Sequence, residues 1–385
     1  MTDRRAPLAM ALLGALTALG VSGCRTPDFP AYPKNYREFA YITNSGSDTV
    51  TVMDLVNLRQ DRVVAVGRRP VGIAASPTRN EVYAVNADSG TVSVIDAMSN
   101  TVTATIPVDR LPFSIDVAAD GRTAYVANSG TNNVSVIDLG RRRVTATIGV
   151  GEAPGVARLT PDGKAIVVSN EKSGSVSVID TATERVRSIF SGCPGATAVT
   201  LMRDSSKAFV ACSGGHQIMV IGLQAPAANG APARPDRLLT LLDVGATPTS
   251  VVLKPDGGEA FTTNFGDNSI SEIATYPNEI GGTYQVGMHP SQGVVSADNA
   301  LLWVSDFGSS TVSLYSIEDG RLVENVPVGE GPDALAFSAS GHLLLVVDSK
   351  SNDLAVVRTK TRTLFTMLPL GRQPNGIAVK AFLVR

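Results

Sequence analysis

Three observations predict the fold class. The proline of a Gly-x-x-Pro element returns eight times at blade-length spacing, each copy holds four β-branched runs, and the chain ends on an unmatched strand that suits the first copy. Together they predict an all-β chain forming a single closed eight-bladed β-propeller of four-stranded antiparallel blades, with the last strand from the C-terminus completing the first blade. The element's prolines are read as Pro70, Pro112, Pro154, Pro194, Pro248, Pro290, Pro332 and Pro374, at intervals of 42, 42, 40, 54, 42, 42 and 42 residues. A polar residue closing the preceding strand returns in step as Asn44, Asn86, Asn128, Asn170, Ser213, Asn264, Asp306 and Asp348.

The elements follow in chain order. Arg4 and Arg5 precede an apolar run, Ala6 to Gly20, too short for a comfortable membrane span, so residues 1–23 read as an export signal. It ends in Val21-Ser22-Gly23-Cys24, which resembles the lipobox of bacterial lipoproteins, and Cys24 is the expected lipid attachment site. Residues 24–38, with three prolines, read as a flexible tether, and 39–385 as the propeller. With 43% apolar and 18% charged residues the chain can bury a large core. Lys plus Arg number 33 against 35 for Asp plus Glu, without basic blocks, which argues against nucleic acid.

In the third copy the strands are Tyr125 to Asn128, Val134 to Asp138, Val144 to Ile148 and, after the Gly-x-x-Pro loop, Gly155 to Leu159. Pro161-Asp162-Gly163 supplies the turn into the next copy, with glycine at the left-handed position. Because the chain opens at Phe39 on one strand type and closes with Asn375 to Leu383 on another, the two ends are expected to share a blade and leave no open edge.

The Tyr41-Ile42-Thr43-Asn44, Tyr83-Ala84-Val85-Asn86 and Tyr125-Val126-Ala127-Asn128 strands, each followed by a TVSVID-like strand and a VGxxP-type loop, resemble the YVTN β-propeller family over about residues 39–385. The resemblance implies the fold and a surface or secreted setting, but no activity. Its members are commonly seven-bladed, which makes seven blades the alternative count. The fifth copy departs from the pattern at Ser213 and in an Ala/Pro-rich insertion, Gln224 to Asp236.

Residues flanking each repeated proline are expected to ring one mouth of the central channel, and those that differ between copies are the candidate ligand-binding set: Arg68, Arg69, Arg110, Glu152, His289, Glu330, Asp333 and Arg372, with Thr247, Met288 and Asn375 beside them. The plain alternative is a merely solvated rim. Of three histidines only His289 is placed on this rim, away from His216 and His342, so no metal site is expected. The repeated asparagines are read as structural, bonding their own turn backbone, and Asp96, Asp138 and Asp180 as opening the next hairpin. Cys193 and Cys212 are an even remainder once Cys24 is set aside; they form either a disulfide or free thiols near His216.

No catalytic motif is found, and Trp303, the only tryptophan, excludes the repeated-tryptophan pattern of quinone-dependent propellers. The expected function is that of a non-enzymatic binding or scaffold propeller of the bacterial cell envelope. It would be exported, lipid-anchored on the periplasmic side or cell surface, monomeric and without cofactor, binding an envelope protein, peptide or glycan at the channel mouth. The alternative is a periplasmic enzyme or cofactor-handling propeller, lactonase-like or haem d1-related, using the same mouth.

Overall fold

Runs such as Thr91–Asp96 (TVSVID) alternate hydroxyl and branched aliphatic side chains, whose stiff χ1 preferences suit a pleated strand buried on both faces. The computed structural model describes residues 30–224 and 234–384; the export signal, Cys24, the start of the tether and most of the insertion lie outside the described residues. Within the described residues such runs build eight four-stranded antiparallel sheets. Lettering the strands a to d from the channel outward, blade 3 consists of Pro112–Val117, Thr123–Asn128, Asn133–Asp138 and Arg143–Gly149. The strands outrun the sequence reading by one or two residues at their ends.

Blade 1 joins the two ends of the chain. Its strand a is Pro374–Leu383, paired along Tyr36–Asn44 with Tyr41 opposite Ala378. Blades 2 to 8 follow as 70–107, 112–149, 154–191, 196–243, 248–285, 290–327 and 332–369. The count of eight and the closure both hold. The first strand starts at Tyr36, inside the segment read as tether, and Tyr32 stacks on Tyr36 with ring centroids 4.7 Å apart.

There is no single central core. Each apolar cluster spans two neighbouring blades: Tyr83, Val85 and Val94 of blade 2 pack with Ile115, Val126 and Ile137 of blade 3, and Trp303 and Leu314 of blade 7 with Leu344 and Val357 of blade 8. Every strand d carries a register shift against strand c at the same place, as between Val136 and Ile137, which adds twist where the blade meets solvent.

Blade 5 corrects the repeat alignment. Ala196 pairs with Cys212 as Pro154 pairs with Asn170, so Ala196 and not Pro194 stands at the proline position, and Cys212 and not Ser213 at the asparagine position. The repeat interval is then 42 residues throughout except for 52 between Ala196 and Pro248. Cys193 occupies the place of the repeated glycine, and the two cysteines are bonded, with Cα atoms 4.7 Å apart. The extra length falls between strands c and d, where Asp236 closes the base of the insertion by accepting from Arg187 Nε at 2.8 Å, Ser188 Oγ at 2.8 Å and Gln224 N at 2.7 Å.

Candidate functional site at the channel mouth

Six blades carry glycine three residues before the proline position, whereas blade 3 has Asp109 and blade 5 Cys193 there. At Gly67 a Cβ would lie 2.7 Å from the Asn86 side chain, so linker and strand b pack without a side chain between them. The asparagine then turns away from its own turn backbone. Asn86 Nδ2 donates to Thr91 Oγ1 at 3.1 Å and Ser93 Oγ at 2.9 Å, and Asn44, Asn128, Asn170 and Asn264 repeat this bond pair onto strand c. Their role is structural, but it is a cross-strand clasp. Asp96 and Asp138 instead accept from backbone N–H groups two or three residues on, opening the outer hairpin as their position suggests.

Two linker residues separate the glycine from the proline position, and the second adopts a left-handed φ of 49° to 65° in every blade. That conformation costs a non-glycine residue about 1 kcal/mol. An inter-blade hydrogen bond offsets it: the N–H groups of Arg69, Ala153, Thr247, His289 and Gln373 donate to Asp48, Asn132, His216, Asn268 and Asn352 in the b–c turn of the preceding blade, at 2.8 to 3.0 Å. His216 accepts through Nδ1, so it stands on the same face as His289, contrary to the sequence reading that placed His289 there alone.

This frame holds the variable side chains in two arcs. Arg372, Arg68, Arg69 and Arg110 enter blades 1, 2 and 3, exposed, with Arg69 Nε 2.7 Å from Asp88. Glu152 in blade 4 faces Lys172 at 3.4 Å. Across the ring, the His289 ring stacks on Phe265 at 4.7 Å and 12°, Phe307 lies 6.2 Å from Phe265, and Lys350 Nζ sits 4.1 Å from the Phe307 centroid. Met288 beside them is 51% exposed. Glu330 is exposed at the entry to blade 8, whereas Asp333 lies one step deeper on strand a, partly buried next to Ser291, and burial raises its carboxyl pKa.

Phe265, Phe307 and Lys350 were not among the residues picked from the sequence. They lie in the b–c turn, and Phe265 and Phe307 directly follow the repeated asparagine or aspartate, where other copies carry Ser45, Ala87 or Ser129. That variability was the available signal. Beneath them, burial pushes Asp306 up to about 6, while Asp348 is pushed up to about 9 by burial and by its hydrogen bond with Asp353. Among the described residues no group of three or more His, Cys, Asp or Glu side chains is arranged to hold a metal ion.

The comparisons with known proteins agree with the β-propeller fold. A YNCE-like β-propeller family matches residues 24–161, and the seven-bladed lactonase β-propeller family matches 259–365. The chain is a β-propeller protein. Each family match spans less than half of it. No curated protein matches significantly. Among solved structures, the propeller resembles hydrazine synthase of Kuenenia stuttgartiensis at 21% identity, covering 83% of this chain and 92% of that one with a TM-score of 0.59. Dihydro-haem d1 dehydrogenase NirN, solved in complex with DHE, is 17% identical over 91% of this chain and 76% of its own, TM-score 0.71. AztD of Citrobacter koseri is 13% identical over 91% and 99%, TM-score 0.69. At these identities the likeness is one of fold.

Proposed function

We propose that the propeller is a non-enzymatic binding scaffold of the bacterial cell envelope, exported and lipid-anchored through Cys24, which presents its channel mouth to a protein partner. One observation carries the reading: a repeated frame of glycine, proline position and left-handed latch holds side chains that differ from blade to blade, with an aromatic platform of Phe265, His289 and Phe307 at the surface. Aromatic and methionine side chains flanked by Arg and Lys are the composition of protein-binding hot spots. A glycan stacked on the same rings is the other outcome.

A photo-crosslinking residue at Met288 in cells should give a discrete adduct that is lost when Phe265 and Phe307 are replaced by alanine. The same group at Tyr276, 67% exposed in a c–d turn, should give none. No adduct, or the same adducts at both positions, would sink the reading, and an adduct of carbohydrate mass would replace the protein by a glycan. Fractionating these cells with and without Cys24→Ala checks the anchor, which fails if membrane partition is unchanged.

A second reading, a cofactor-handling propeller, draws on the exposed, stacked His289 and the fold likeness to NirN. A coloured species in protein purified from its native envelope, bleached by His289→Ala, would favour it.

A further inference from the structure

The opposite face carries a cavity of about 900 Å³ between the a–b turns of blades 7 and 8. That is the size of a small-molecule site. One wall is apolar: Trp303, Leu301, Val295 and Phe337, with the indole 1% exposed and fixed in the cluster between the two blades. The lining also includes three basic side chains, Arg203 from the a–b turn of blade 5 and Lys360 and Arg362 from the c–d turn of blade 8. Among the described residues Arg203 and Arg362 have no ion pair and no side-chain hydrogen bond.

The remaining polar groups are already engaged by the fold. Ser296 Oγ and the Ala300 N–H donate to Asp298, the one acid of the lining, and hold its carboxyl below the usual range. Ser338 and Ser340 bond to His342, and Thr359 Oγ1 donates to the Gly341 carbonyl at 2.8 Å. Two guanidiniums without a partner among the described residues, against one capped carboxylate, leave the pocket net positive beside a rigid aromatic wall. Guanidiniums offer fork-shaped donors to phosphate or carboxylate and stay charged at any working pH.

We propose that this crevice binds a small amphipathic anion, a phosphate ester or carboxylate on a planar apolar body, with Arg203 and Arg362 on the anionic group and the ring against Leu301 and Phe337, which pack on the Trp303 cluster. The site is on the face away from the variable mouth, so its failure would leave the protein-binding reading untouched.

The test uses the chain's only tryptophan, whose emission reports on this crevice. Full-length protein is titrated with phenyl phosphate, phenol and inorganic phosphate, with excitation at the red edge of the indole band. Expected is a saturable change with phenyl phosphate, binding about tenfold or more weaker for each half-ligand, and about a tenfold loss in the double variant Arg203→Gln, Arg362→Gln. Both arginines are in surface turns, and circular dichroism of the variant confirms its fold. No saturable change, equal binding of phenol, equal binding of inorganic phosphate, or an unaltered affinity in the folded variant would each overturn the proposal.

Discussion

At the scale of single residues, the asparagine clasp explains what its replacements do. Blades 7 and 8 carry Asp306 and Asp348 where five other blades carry asparagine, and both are fully buried. Asp306 accepts where asparagine would donate, from Thr311 Oγ1 at 2.9 Å and Ser313 Oγ at 2.8 Å. Asp348 faces Asp353, a second acid, and solves the mismatch by keeping its proton, with a pKa of about 9. Unfolded, the same carboxyl ionises near pH 4, at about 3.9. Between about pH 4 and 9 the folded protein therefore binds one more proton than the unfolded chain, and stability falls as pH rises through that window. Asp348→Asn supplies a permanent donor, as Asn128 Nδ2 does for Asn133 Oδ1 at 2.8 Å. The variant should gain about 1–3 kcal/mol in urea unfolding at pH 7 and lose most of the slope. The fall between about pH 4 and 6 that belongs to Asp306 should remain. A variant less stable than the parent at pH 7 would show that Asp348 is ionised there.

At the scale of the element, the linker into strand a and the end of strand b form one unit, and blade 5 builds it with sulfur. Cys193 and Cys212 replace a glycine and an asparagine whose close contact recurs at Gly67 and Asn86, Gly151 and Asn170, and Gly245 and Asn264. Closing a loop over a sequence separation of 19 residues stabilises by about 3 kcal/mol through the unfolded chain. Reduction should lower the unfolding midpoint of the parent protein. The double variant Cys193→Gly, Cys212→Asn should fold and be indifferent to reductant, because Gln217, five residues on, is placed like Thr91 to receive the amide. Cys212→Ala alone, with neither bond nor clasp, should be the least stable of the three by calorimetry; equal midpoints for the two variants would refute the clasp.

This unit also marks the limit of what could be read from the chain. Glycines and prolines announce themselves because backbone space and φ leave few substitutes, so the blades and their turns were visible. In blade 5 both markers are replaced, and nearby Pro194 and Ser213 drew the alignment aside by two residues and one. The rim frame was legible for the same reason as the blades, through the residues flanking each proline. The aromatic platform was not, since Phe265, His289 and Phe307 come from two blades and three turns, and only the curvature of the ring brings them together.

At the scale of the whole molecule, stability is a sum of inter-blade layers around a ring, and the ring is shut by one strand. Pro374–Leu383 lies along Tyr36–Asn44 over its full length, and its Lys380 Nζ, buried, donates to the Ser76 carbonyl of blade 2 at 2.6 Å. Burial lowers the Lys380 pKa, a cost tolerated where the amine joins the last strand to the next blade. Removing residues 374–385 would strip the inner edge of blade 1, expose Phe39 and Tyr41, and leave an unpaired row of N–H and C=O groups facing the channel. A linear array of blades would lose the contact between its ends and with it part of its cooperativity. The truncated chain should elute as oligomers in size-exclusion chromatography and unfold over a broader urea range than the parent. Addition of a peptide spanning residues 374–385 should restore a monomer, because the edge of Tyr36–Asn44 presents the same ladder to a strand supplied in trans. A truncated monomer that unfolds as sharply and at the same midpoint would mean that the first and eighth blades hold the ring without the strand between them.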